Sequence, residues 1–140
     1  MDNFVLDTSA LFTLIEKEDG VEEVVSLLRK ASFEEVEVFI SVVSCIEVFY
    51  VSLQEQNEQI VRERLSLIEV MPATIVNVED DFTESIGILK ATYQMSFADC
   101  CIAGLAKNEN AILVHKDPEF EQVENEIRQI KLPYKIQKKK

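Results

Sequence analysis

Short β-branched and aromatic runs alternate along the chain with longer stretches whose apolar residues return every three or four positions. Residues 3–7 (NFVLD) form a brief apolar run closed by polar residues, which reads as a buried strand. Thr8 or Ser9 is then expected to N-cap a helix with Leu11, Leu14 and Ile15 on its apolar face. Gly20 interrupts that pattern, and a second helix follows with Val21, Val24, Val25 and Leu28 on one side. Residues 36–41 (VEVFIS) read as a second strand. Residues 42–56 and 58–71 read as two helices joined near Asn57, the later one carrying Ile60, Val61, Leu65 and Ile68 at helical spacing. Residues 73–78 are a third predicted strand, and Glu79, Asp80 and Asp81 place negative charge where the next helix begins. Ser96 caps a further helix running to about Asn108, residues 111–114 make a fourth strand, a short helix is expected around 119–126, and a last strand near 134–136.

Strands that alternate with helices in this way predict an α/β fold: a three-layer sandwich with a central, mainly parallel sheet of four to five strands flanked by helices. In such sheets ligands bind beyond the carboxyl ends of the strands. The 140 residues contain three glycines, three prolines and no repeat or linker, so a single domain over 1–140 is expected, with a basic, disordered tail at about 137–140. No uncharged apolar run is long enough for a bilayer, and MDNFVLD lacks a basic segment and a cleavage pattern, so a cytoplasmic location and no membrane contact are expected. Cys45, Cys100 and Cys101 lie in apolar stretches without zinc-ligand spacing, and read as small hydrophobes.

Charge complicates this picture. Lys and Arg number 14 against 26 Asp and Glu, a formal net charge of −12. From Ile127 onward there are six basic residues and no acid, which leaves eight basic against 26 acidic residues before it, a balance of −18. An acidic body repels a polyanion, so composition alone argues against nucleic-acid binding.

Most of these acids solvate helix faces, as at 22–23, 34–35 and 79–81. Four keep apolar company instead. Asp7 ends the first strand and Asp117 follows the fourth, both at carboxyl ends where the crevice is expected. Glu47 lies within VVSCIEVFYV and Asp99 within FADCCIA, both apolar helices. Asp7 can equally be read as a helix N-cap, and Asp117 before Pro118 as a turn opening. Glu47 and Asp99 have no such duty in a helix interior. Only Lys116 is close in sequence to pair with any of the four. Burying an ionised carboxylate without a partner costs several kcal/mol. Convergence of all four would force protonation or demand a hard divalent cation such as Mg²⁺ or Mn²⁺.

In this order FVLDTSAL (4–11), SCIEVFY (44–50), SFADCCIAGLA (96–106) and LVHKDPEF (113–120) resemble the PIN-domain family, in particular its VapC-type toxin ribonucleases. The resemblance covers nearly the whole chain. It implies hydrolysis of RNA phosphodiesters, with Asp7, Asp99 and Asp117 as metal ligands and Glu47 holding a water or a second ion. Thr8, Ser9, Ser96 and Lys116 would support the site or meet substrate. It also implies a homodimer and a cognate antitoxin, for which the helix bearing Phe49 and Tyr50 offers a contact face. One departure stands out: the family usually has Thr or Ser two residues before the last aspartate, where this chain has His115. His115 either hydrogen-bonds within the site or meets the scissile phosphate. Glu119 or Glu121 is a further candidate to assist Asp117.

Other classes fit less well. A catalytically silent interaction module would keep the fold and lose the metal, and a nuclease serving RNA processing or cutting DNA would keep the chemistry. A haloacid-dehalogenase-like phosphatase expects an aspartate where Ser9 stands, and a receiver domain expects an acidic pair near the first strand, where only Asp2 precedes Asp7.

Overall fold

The computed structural model describes residues 1–135. Five strands, β1 (Asn3–Leu6), β2 (Glu37–Ser41), β3 (Thr74–Val76), β4 (Ile112–His115) and β5 (Gln129–Lys131), form one sheet in the order β3-β2-β1-β4-β5. Every neighbouring pair is parallel. The connections carry α1 (Thr8–Ile15), α2 (Val21–Ser32), α3 (Val42–Glu55), α4 (Glu58–Glu69), α5 (Thr83–Thr92) and α6 (Phe97–Asn108).

Successive strand residues point to opposite faces, and that alternation divides the interior into two cores. Phe4 and Leu6 of β1, Val38 and Ile40 of β2 and Val114 of β4 pack with Leu11, Val24, Leu28, Val48 and Ile68 from α1 to α4. Val5 and Leu113 face the other way, onto Ile86, Leu89, Cys100, Ile102 and Leu105 of α5 and α6. The result is three layers with β1 covered on both faces, the arrangement parallel sheets require.

Several elements differ from the sequence pattern. Asp7, rather than Thr8 or Ser9, caps α1 by accepting the Ser9 amide. The last strand is Gln129–Lys131: Leu113 donates to the Arg128 carbonyl and Leu132 to the His115 carbonyl, which zips this segment onto β4. Its single apolar residue, Ile130, gives no period to read. Tyr134 and Lys135 lie outside any strand, Pro133 having no N–H to offer a ladder. Ile136 and the tail at 137–140 fall outside the described residues. The short helix expected at 119–126 is a 3₁₀ segment, Pro118–Val123, tightened by Phe120 donating to the Asp117 carbonyl. α4 stops at Glu69, two residues early, and Asn57 caps its start through the Ile60 amide.

α5 and α6 approach closely at Gly104, where a Cβ would lie 2.8 Å from Cγ1 of Ile86. Alanine ordinarily gains up to about 1 kcal/mol over glycine inside a helix. Here that gain is outweighed by overpacking, which typically costs about 1–3 kcal/mol. Gly104→Ala is expected to lower the midpoint of thermal unfolding, and Gly104→Ala with Ile86→Ala, which removes Cγ1, to cost less than the two changes summed; calorimetry on the wild type, both single variants and the double variant checks this.

Candidate functional site

From β1 the chain moves outward to β2 and β3 on one side, and β4 and β5 extend the sheet on the other. The strand order therefore reverses between β1 and β4, and a crevice opens above their carboxyl ends. The two strands pair with Leu6 opposite Val114, and the Asp7 amide extends the ladder by donating to the Val114 carbonyl at 3.0 Å. Asp7 and the Asp117 turn thus leave the sheet side by side.

Asp7 is 3% exposed. Its Oδ2 accepts the Ser9 amide at 3.0 Å and the Ser9 hydroxyl at 2.5 Å. The same hydroxyl accepts the Lys116 amide at 2.8 Å, so Ser9 ties the two strand ends together. Asp7 Oδ1 is buried with no hydrogen-bond partner. Burial pushes the Asp7 carboxyl up to about 6, against the lowering effect of Ser9 and with the charge of Glu47 adding to the rise.

Asp99, Asp117 and Glu119 each bring a carboxylate oxygen into one group whose atoms all lie within 4.8 Å of one another. Asp99 sits in the first turn of α6, where Ser96 caps the helix by accepting the Asp99 amide at 3.1 Å. It therefore lies near the helix N-terminus, which favours negative charge, and not in mid-helix as the sequence pattern suggests. Burial nevertheless raises Asp99 to about 8, helped by the charge of Asp7, a hydrogen bond with Glu119, and the charges of Asp117 and Glu119. Asp117 opens its turn through Oδ1, which accepts the Glu119 amide at 2.9 Å. Asp7 is not in that group, though its charge is felt at Asp99; the three grouped oxygen donors, hard and crowded by like charge, fit a divalent cation such as Mg²⁺ or Mn²⁺.

Glu47 is half-buried on α3 and has hydroxyl partners, contrary to its apolar sequence setting. Thr8 donates to its Oε1 at 2.7 Å and lies 3.0 Å from Ser44 Oγ, and the Tyr50 hydroxyl reaches Oε2 at 3.3 Å. The Tyr50 phenol is raised, chiefly by the charge of Glu47. Ser44 and Tyr50 were missed in the sequence; their spacing of three residues to either side of Glu47 on one helix was the available signal.

Three sequence candidates have other duties. Lys116 turns away from the carboxylates: its Nζ donates to the Asp19 carbonyl at 2.7 Å and pairs with Glu18 at 3.5 Å. His115 has no exposed surface, and both its ring nitrogens have protein partners, so contact with a phosphate is closed to it. Glu121 is held by Tyr134 and Lys131, away from the Asp99 group that Glu119 joins. Beside Ser9 and Asp117 a groove of about 550 Å³ runs past Phe12, Val51 and Tyr134, and its charged lining mixes Glu16, Glu18 and Glu55 with Lys116 and Lys135.

The PIN domain family model matches residues 4–126. No curated protein matches the sequence. Among solved structures, VapBC2 from Rickettsia felis bound to a DNA fragment from its promoter aligns at 20% identity and a TM-score of 0.76, over 94% of this chain and 99% of that one. A DNA-bound VapBC from Salmonella typhimurium aligns at 21% identity and a TM-score of 0.71, over 94% and 98%. VapC20 from Mycobacterium tuberculosis, described as a sarcin-ricin loop cleaving toxin, aligns at 13% identity and a TM-score of 0.67, over 86% and 94%. At these identities the likeness establishes the fold.

The raised carboxyls have a consequence for stability. A carboxyl whose folded value, about 6 for Asp7 and about 8 for Asp99, lies above its unfolded value near 3.9 holds more protons folded than unfolded between the two. Its contribution therefore turns against the folded state as pH rises through that window. Without metal, Asp99→Asn is expected to raise the unfolding temperature, by more at pH 8 than at pH 5. With Mn²⁺ added the wild type gains and Asp99→Asn does not. Thermal melts across pH, with and without Mn²⁺, read both effects.

Proposed function

The chain belongs to the PIN-domain family, and from that premise we propose that it is a divalent-metal-dependent endoribonuclease acting as the toxin of a type II toxin–antitoxin pair. The observation that carries this reading is the buried, unpartnered oxygen of Asp7 at the same crevice as the Asp99, Asp117 and Glu119 oxygens. Such an arrangement costs several kcal/mol unless a cation occupies it.

In this reading Asp7, Asp99 and Asp117 hold the ion and Glu119 completes the set. Held there, Mg²⁺ or Mn²⁺ would supply positive charge for the scissile phosphate and would lower the pKa of the attacking water. Glu47, oriented by Thr8 and Tyr50, holds that water at the α3 side of the crevice. Ser9 keeps Asp7 in one rotamer, and Ser96 sets the first turn of α6 so that Asp99 faces the other acids. The carboxylate cluster itself repels phosphates, so RNA affinity depends on the ion, which reverses the local sign.

RNA as substrate is supported by the description of VapC20 as cleaving a sarcin-ricin loop, and an antitoxin partner by the VapBC complexes. Ile46, Phe49, Tyr50 and Leu53, exposed at helical spacing along α3, offer a surface for that partner or for a second copy in a homodimer. An RNA target accords with a cytoplasmic location, and no helix among the described residues is long and apolar enough to cross a membrane.

Wild type, Asp7→Asn and Asp99→Asn, incubated with defined RNAs and DNAs in Mn²⁺, Mg²⁺ or EDTA, test this reading. RNA cleavage by the wild type alone is expected, abolished by EDTA. Each substitution should lower it by more than about 100-fold, beyond the 10–100-fold typical of losing an outer-shell partner. Glu119→Gln should slow cleavage and Glu121→Gln leave it unchanged. Equal activity in wild type and both aspartate variants would sink the metal-site reading, and cleavage of DNA in preference to RNA would sink the substrate.

A further inference from the structure

The acidic turn is joined to β5 by an imidazole. His115 is fully buried, with its ring 5.0 Å from that of Phe120 and 6.2 Å from that of Tyr134. Its Nδ1 accepts the Asp117 amide N–H at 3.0 Å, and its Nε2 lies 2.7 Å from Gln129 Oε1. Gln129 Nε2 donates to the Phe120 carbonyl at 2.7 Å, which leaves Oε1 as the atom facing the ring. The Asp117 amide needs a lone pair on Nδ1, and Gln129 Oε1 needs a proton on Nε2. Both neighbours therefore select one neutral tautomer.

The same i to i+2 turn is built elsewhere by a Ser or Thr hydroxyl accepting an amide two residues on. A hydroxyl rotates and can donate or accept. An imidazole pinned by Gln129 offers one acceptor in one direction. The Asp117 amide is thus held by His115 while its Oδ1 is held by the Glu119 amide, which fixes both ends of the residue and leaves the second carboxylate oxygen for a ligand.

We propose that His115 is a positioning residue for the acidic turn, a fixed neutral acceptor for the Asp117 amide whose tautomer Gln129 sets, and that through it Asp117 and Glu119 are aimed at the divalent cation. This rests on reading those two acids as cation ligands. Two variants separate the two ends of the ring. In His115→Asn the amide oxygen replaces Nδ1 and can still accept from Asp117. In His115→Gln the longer amide reaches Gln129 and offers nothing to the Asp117 amide.

Calorimetric titration with Mn²⁺ alone, alongside thermal melts, reads the difference. His115→Gln is expected to weaken Mn²⁺ binding about 10–100-fold, the range for an outer-shell partner, while His115→Asn retains most of it at a similar melting temperature. Equal affinity in wild type and His115→Gln overturns the inference, as does equal loss in both variants, which is what a merely structural role gives. If neither variant folds, nitrogen NMR of the wild-type imidazole decides: an unprotonated Nδ1 coupled to the Asp117 amide supports it, and a proton on Nδ1 overturns it. A wild type that binds no Mn²⁺ overturns the ligand reading first and this inference with it.

Discussion

Because β1 and β4 run parallel with Leu6 opposite Val114, the chain leaves both strands at the same edge of the sheet. Everything at the crevice follows from that pairing. Asp7 and the Asp117 turn meet there although more than a hundred residues separate them, and Ser9 closes the junction with one hydroxyl that donates to Asp7 and accepts from Lys116. α3 and α6 then bring Glu47 and Asp99 from either side of the sheet. A one-residue slip between β1 and β4 would exchange the two cores as well as misplace the acids, so the packing that stabilises the sheet also enforces the site.

The site works against the stability it depends on. Asp7 and Asp99 are each crowded by like charge in a poorly hydrated place, and their raised carboxyls measure that conflict. The cores on both sheet faces absorb the cost. Lys116, next to Asp117 in sequence, is taken by Glu18 and the Asp19 carbonyl instead of quenching the cluster. A lysine ammonium among the acids would neutralise them and relieve the crowding.

Those parts of the structure whose signal is long and local were legible in the sequence. β1, β2 and β4 are dense in β-branched and aromatic residues, and an acid at a strand end inherits its position from the strand, which is why Asp7 and Asp117 stood out. β5 was misplaced because an edge strand of three residues with one apolar side chain carries almost no period. Glu119 and Glu121 could not be separated beforehand: they stand two residues apart in a tight turn, and the choice is made by Lys131 and Tyr134, which take Glu121. The partnership of His115 with Gln129 was hidden for the same reason. It depends on the β4–β5 register, a long-range fact, and not on any neighbour in the chain.

Of all the features of the crevice, its dispersal along the chain bears most on the life of the protein. The acids stand at 7, 47, 99, 117 and 119, and β1 has no partner on its β4 side until residues 112–115 have been made. While a ribosome is still synthesising the chain, the first three acids exist without the turn that gathers them. Non-local pairings of this kind form late in folding. A chain stopped short of residues 112–119 therefore lacks both the strand and the turn that gather the acids, and the cluster cannot assemble until all of them have been made.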